Sequence, residues 1–209
     1  MSILLARHGE TDWNIAKRVQ GTTDIPLNEN GKKQARLLYE SLEKEKIKLC
    51  RVYSSRQERA LETARIVSSG YQIPVEVIPG LEEMNYGLFE GHTWEEIEIL
   101  YPDEFMKWQS DKRYNKTPGG ESYQDLLERL FSALGRIMKE TKEDIDSGRY
   151  VLVLTHGAVI MSLLTLRDGL DFRTSYMFID IENAKAIKFE RNDLLEAQQK
   201  LYPEPGIGK

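Results

Sequence analysis

A chain of 209 residues, 40% hydrophobic and 30% charged, has the composition of a water-soluble globular protein able to bury a substantial core. Its formal net charge of −5 excludes broad nucleic-acid binding, so any anionic ligand needs a local cluster of cations. The single cysteine, Cys50, excludes a disulfide framework or a cysteine-rich metal site; Arg7 cuts the first apolar run too short for a signal peptide, and no run reaches the roughly 20 apolar residues of a membrane span. A cytoplasmic protein with no membrane partner is expected.

In chain order, residues 3–6 form an apolar run of strand length, closed by Arg7, His8 and the turn residue Gly9. A helix is predicted over about 29–46, with Asn28 as N-cap and Ala35, Leu38 and Leu42 at helical spacing. Residues 52–54 read as a strand, about 57–68 as a helix with Leu61, Ala64 and Val67 on one side, and 75–78 as a strand. The rhythm breaks at 93–116, where Trp94, Tyr101, Phe105, Trp108 and Tyr114 cluster and Pro102 splits two short helices. This segment is read as a helical lid over the C-terminal edge of the sheet. The longest predicted helix covers about 122–146, started by a capping box of Ser122 and Asp125 and carrying Leu126, Leu127, Leu130, Leu134, Ile137 and Met138. A strand at 150–154, a helix after Gly157, strands at 176–181 and 186–189 and a loose tail at 202–209 complete the pattern. The alternation predicts one domain over 1–209, a three-layer α/β/α sandwich around a mostly parallel sheet. No G-x-G-x-x-G occurs, and the terminal Gly-Lys lacks the Ser or Thr of a P-loop.

Two of the three histidines occupy equivalent places: His8 ends "ILLAR" before Gly9, and His156 ends "VLVLT" before Gly157. Taken alone, Arg7 and His8 could be a polar strand end facing solvent. Strand C-termini of a parallel sheet share one edge, however, and ligands bind there, so the matching junctions point to one crevice. After "RVYSS" a third junction opens a helix whose first turn carries Arg56 and Arg59. Cations there oppose the helix dipole. Arg59, among Ala60, Ala64 and Ile66, suits the crevice; Arg56 suits solvent or the rim. Guanidinium forks match phosphate oxygens in pairs, and backbone N–H groups after Gly9 and Gly157 would add donors, which describes a phosphate pocket. In "LEEMNYGLFEG", Glu83 is the candidate proton donor and Glu82 the better surface carboxylate.

The stretches "RHGETDWN", "QGTTDIPLNENGKKQA", "SSRQERALETA", "LEEMNYGLFEG", "PGGES" and "LTHGAVI" together resemble the successive motifs of the histidine phosphatase (phosphoglycerate mutase-like) superfamily, over nearly the whole chain. The resemblance implies a metal-independent phosphomonoester hydrolase with no cofactor, in which His8 is the nucleophile, Arg7, Arg59 and His156 bind the phosphoryl group and Glu83 is the acid/base. It also implies that Asn14 and Gln20 donate to phosphate or substrate oxygens, that Gly21 lets the backbone approach, and that Glu121 and Ser122 line the substrate mouth. Asn28 replaces the family's usual Thr or Ser, and Met161 stands where many members have a basic residue. "MNYGLFEG" is closer to the phosphatase branch than to the mutases. A cofactor-dependent phosphoglycerate mutase would use the same phosphohistidine but return the phosphate to a sugar acid. A phosphoprotein-binding module would not need both His8 and Glu83, and a His/Glu metal site would lose activity on chelation. The substrate, a small phosphomonoester, and the oligomeric state are left open; the aromatic lid suggests a partly apolar or ring-bearing substrate.

Overall fold

The computed structural model of the chain describes residues 2–202, apart from the side chains of Ile145 and Asp146. Its strands are β1 (Ser2–Arg7), β2 (Leu49–Ser54), β3 (Val75–Val77), β4 (Tyr150–Thr155) and β5 (Ala186–Glu190), in the order β3-β2-β4-β1-β5. All neighbours are parallel except β5, which runs antiparallel to β1. Between them lie α1 (Asp12–Ile15), α2 (Glu29–Lys44), α3 (Glu58–Tyr71), α4 (Trp94–Leu100), α5 (Pro102–Ser110), α6 (Tyr123–Glu140), α7 (Lys142–Asp146), α8 (Gly157–Asp168) and α9 (Arg191–Gln199).

The central strands are apolar on both faces because both faces are covered. Side chains alternate along them: Ile3 and Leu5 with Val151 and Val153 pack toward α6, α8 and α9, whereas Leu4 and Ala6 with Leu152 and Leu154 pack toward α2 and α3. The result is the expected α/β/α sandwich. Caps anticipated from the sequence are formed: Asn28 Oδ1 accepts from Gly31 N at 2.8 Å, and Ser122 and Asp125 close their capping box. The lid segment folds as α4 and α5, and its Ile97 and Trp108 join the core on the α6/α8 face.

Two expectations fail. Residues 176–181 are not a strand; a single 3-10 turn covers Ser175–Met177, and Tyr176, Met177 and Phe178 are exposed. β5 pairs with the free edge of β1, and the run 176–181 pairs with no strand and leaves its large side chains exposed. The long helix also stops early, at Glu140, where Thr141 Oγ1 bonds back to Ile137 O and the chain turns into α7. Of the expected tail, residues 203–209 lie outside those described.

The register of β1 against β4 positions the functional residues. Arg7 lies opposite Thr155, and His8 N donates to Thr155 O at 3.0 Å, so the residues just beyond β1 and β4 emerge side by side.

Candidate active site

The two histidine rings that leave these strand ends sit 5.2 Å apart, centroid to centroid. His8 is buried, and its Nδ1 donates to its neighbour's carbonyl, Gly9 O, at 2.7 Å. That bond settles the neutral tautomer, leaving the Nε2 lone pair bare. Gly9 is required here because a Cβ would come within 2.4 Å of Gly31 O, where the turn presses against the start of α2. Burial, then Arg59 and Arg7, hold the His8 imidazole well below its ordinary value, which keeps it neutral.

His156 forms the N-cap of α8 and is likewise held neutral by burial and by Arg59. Ser55 Oγ lies 2.7 Å from its Nε2, and when that hydroxyl donates, the ring proton sits on Nδ1, an atom without a protein partner. The arginines show the same design. Arg7 anchors one terminal nitrogen on Ile181 O at 2.7 Å, and Arg59 anchors both of its own on Thr23 O and Gly21 O at 2.8 Å. In each case Nε is buried and has no protein partner. Gly21, at φ 52°, passes so close to Glu90 that a side chain would collide with its carboxylate.

Together with Asn14, Gln20, Gly21, Glu83 and Gly157, Arg7 and His8 line a cavity of about 290 Å³. Arg59 and His156 do not line it; both are fully buried, coupled electrostatically to His8, and the His156 ring packs against that of His8. Asn14 Oδ1 is taken by Thr11 N at 3.0 Å, which leaves its amide N–H groups as the donors available to the cavity. Gln20 Oε1 is buried without a partner. Glu83 is largely buried and accepts from Met84 N at 2.9 Å and Ala158 N at 3.3 Å, the latter in the first turn of α8.

Glu121 and Ser122 are brought elsewhere. Neither lines this cavity. Ser122 caps α6, and Glu121 is locked bidentately to Arg129, at 2.6 and 3.1 Å. Arg129 also donates to the carbonyls of Gly80, Glu82 and Glu83, gathering the loop that carries Glu83. Gln57 supports the same loop by accepting from Glu83 N at 2.8 Å while donating to Gly21 O. Arg129, Gln57 and Ser55 were not anticipated. Ser55 and Gln57, both inside the motif "SSRQERALETA", carried a local signal; Arg129 did not. Arg56 is exposed, 3.6 Å from Glu82, and does not line the cavity. Among the described residues, no group of three or more His, Cys, Asp or Glu is placed to hold a metal ion, and no helix is long and apolar enough to cross a membrane.

The family model described as "Histidine phosphatase superfamily (branch 1)" matches residues 3–194. The chain is 37% identical over 163 residues to a metal-independent phosphoserine phosphatase of Arabidopsis thaliana, covering 77% of this chain and 66% of that protein. It is 34% identical over 170 residues to the uncharacterized phosphatase PhoE of Bacillus subtilis, covering 81% of this chain and 79% of PhoE. The solved structure of Bacillus stearothermophilus YhfR superposes with a TM-score of 0.78 at 32% identity, covering 90% of each chain.

Proposed function

The chain belongs to the histidine phosphatase superfamily, branch 1, and from that premise we propose that it hydrolyses small phosphomonoesters through a phosphohistidine formed on His8. One observation carries the reading: His8, whose Nε2 lone pair is bare, lines a pocket with Arg7, and three buried donors around it, Arg7 Nε, Arg59 Nε and His156 Nδ1, have no protein partner. Three unpartnered donors close to one nucleophile suit the three non-bridging oxygens of a phosphoryl group. The single cysteine suits a cytoplasmic setting.

In the first step His8 Nε2 attacks phosphorus and the bond to the ester oxygen breaks. Glu83, held at the pocket wall, gives that oxygen a proton, so the product leaves as an alcohol. Arg7 and Arg59 supply positive charge at the non-bridging oxygens, where stabilisation of phosphoryl transfer largely resides, and His156 adds a hydrogen bond. In the second step water attacks the phosphohistidine, gives its proton to Glu83, and the P–N bond breaks to restore neutral His8. The depressed basicity of His8 serves both halves: the ring is unprotonated for attack and is a good leaving group afterwards.

Rapid quench with a labelled phosphomonoester, phosphoserine first among those to try, tests the reading. Label stable to alkali and labile to acid should map to His8, and His8→Ala should lose turnover by roughly 10⁴-fold or more while remaining folded. Near wild-type turnover by His8→Ala, or label on Ser54 or Ser55, would refute it.

A further inference from the structure

Beside the phosphate cavity, and sharing Tyr86, Trp94 and Met161 with it, lies a second cavity of about 300 Å³ beneath α4 and α5. Its walls are mostly aromatic, with Trp94 and Trp108 stacked at 5.5 Å and an interplanar angle of 3°. One cation stands among them. Lys112 is buried to 7% exposure, and its Nζ lies over the rings of Trp108 and Tyr176 at 4.7 and 4.8 Å. Among the described residues that ammonium has neither an ion pair nor a hydrogen bond. Asp171 is the acid it senses, but that carboxylate is bound by Arg173 Nε and Nη2. The side chain is largely buried and its head opens only onto this cavity, so the ammonium is poorly hydrated without a counter-ion, a cost that two ring faces offset only in part. A purely structural role would be served as well by Met, with no poorly hydrated charge.

We infer that this cavity is a subsite for a second anionic group of the substrate, with Lys112 as its counter-ion, so that the preferred phosphomonoesters carry a carboxylate or second phosphate on a ring-bearing or apolar body. The inference rests on the phosphatase reading and adds the substrate class to it. The reacting phosphoryl group occupies the pocket at His8, the body passes Tyr86 and Trp94, and the distal anion meets Lys112 between its two rings. The aromatic walls strengthen the pairing, because a charge-assisted hydrogen bond gains in a poorly solvated site.

The test compares kcat/KM for benzyl phosphate with that for its 4-carboxy, 4-carboxymethyl and 4-phosphonomethyl derivatives. In the wild type the best charged ester should exceed the neutral one by roughly tenfold to a hundredfold, the range of a hydrogen bond to a charged group. Lys112→Met should abolish that ratio. Lys112→Arg should keep it, which decides the matter if the Met variant does not fold. The ratio also has a pH signature, because burial brings the Lys112 ammonium down to about 8. The reacting phosphate ionises alike in both esters and cancels from the ratio. The other groups facing Lys112 are Tyr176, Asp171 held at about 2 by Arg173, and the phenols of Tyr86 and Tyr123, which burial holds above their ordinary range. The wild-type preference should therefore fall as pH rises through about 8, and the Arg variant should keep its own. A wild-type ratio at or below one for every charged ester, or a ratio that Lys112→Met leaves intact, would overturn the inference. Phosphate release from benzyl phosphate without such a preference leaves the phosphatase reading standing; release from none of the esters counts against both.

Discussion

The phosphate pocket and the aromatic chamber adjoin, yet they are built by different means. The pocket hangs from strand ends: Arg7 and His8 extend β1, His156 follows β4, and the parallel register sets them side by side. Their polar atoms are tied to backbone carbonyls, such as Gly9 O for His8 and Gly21 O for Arg59. The chamber instead is walled by side chains from α4, α5, α6, α8 and the turn at 175–177, and among the described residues its one cation, Lys112, is held by rings alone. Backbone-anchored groups suit chemistry that tolerates little displacement. A wall of side chains can be refitted without touching the sheet. On the reading proposed above, the reaction belongs to the sheet edge and the choice of substrate to α4, α5 and the residues around Lys112.

The sharpest way to break this division is to disturb proton transfer alone. Glu83→Gln should slow transfer from an alkyl phosphate to His8 by roughly 10²–10⁴-fold. The pre-steady-state burst with p-nitrophenyl phosphate should suffer much less, since that leaving group departs unaided. Arg59→Ala should slow both bursts alike, because its proposed role is to hold the phosphoryl group common to both. Equal slowing by Glu83→Gln would remove Glu83 as the acid.

A smaller effect is expected from Arg129, a positioning residue that gathers the carbonyls of Gly80, Glu82 and Glu83. Arg129→Met should cost roughly ten- to a hundredfold with alkyl phosphates by letting the Glu83 loop drift. A merely structural role would lower both bursts in proportion, whereas positioning of the acid predicts a selective loss for the poor leaving group. Glu121→Gln, which weakens the clamp on Arg129, should show the same selectivity at lower amplitude.

The mildest test is stability against pH. His8 and His156 are held neutral well below 6.5 in the folded protein. Below that pH the unfolded chain binds more protons than the folded one, so stability falls as pH drops from 6.5 toward the folded values. Each buried histidine contributes a slope of about 1.4 kcal/mol per pH unit in that window. Urea midpoints for wild type and His156→Gln should diverge there, the variant losing one of the two slopes; parallel curves would mean that His156 is not held neutral by the fold.

The parts legible in the sequence were those whose signal is local. A strand, a histidine and a glycine in succession locate His8 and His156, because a short apolar run favours a buried strand and the glycine that follows favours a turn. Arg59 was legible from the small residues beside it on α3, and the caps at Asn28 and Ser122 from side chains a turn away from the amides they accept from. The failures were contests between distant segments. Residues 176–181 have the composition of a strand, but it is β5 that pairs with the free edge of β1. Arg129 reads as the polar face of an amphipathic helix; its partners at 80–83 lie nearly fifty residues away. Ser55 and His156 are 101 residues apart. Lys112 sits in the charged stretch "DKRYNK", which by itself describes a solvated surface, and only Trp108 and Tyr176 closing over it make it a buried cation. Periodicity and turn chemistry act over a few residues and so are written in the chain; which edge is vacant, which carbonyl is near and which charge loses its water depend on packing between segments, which only the tertiary structure decides.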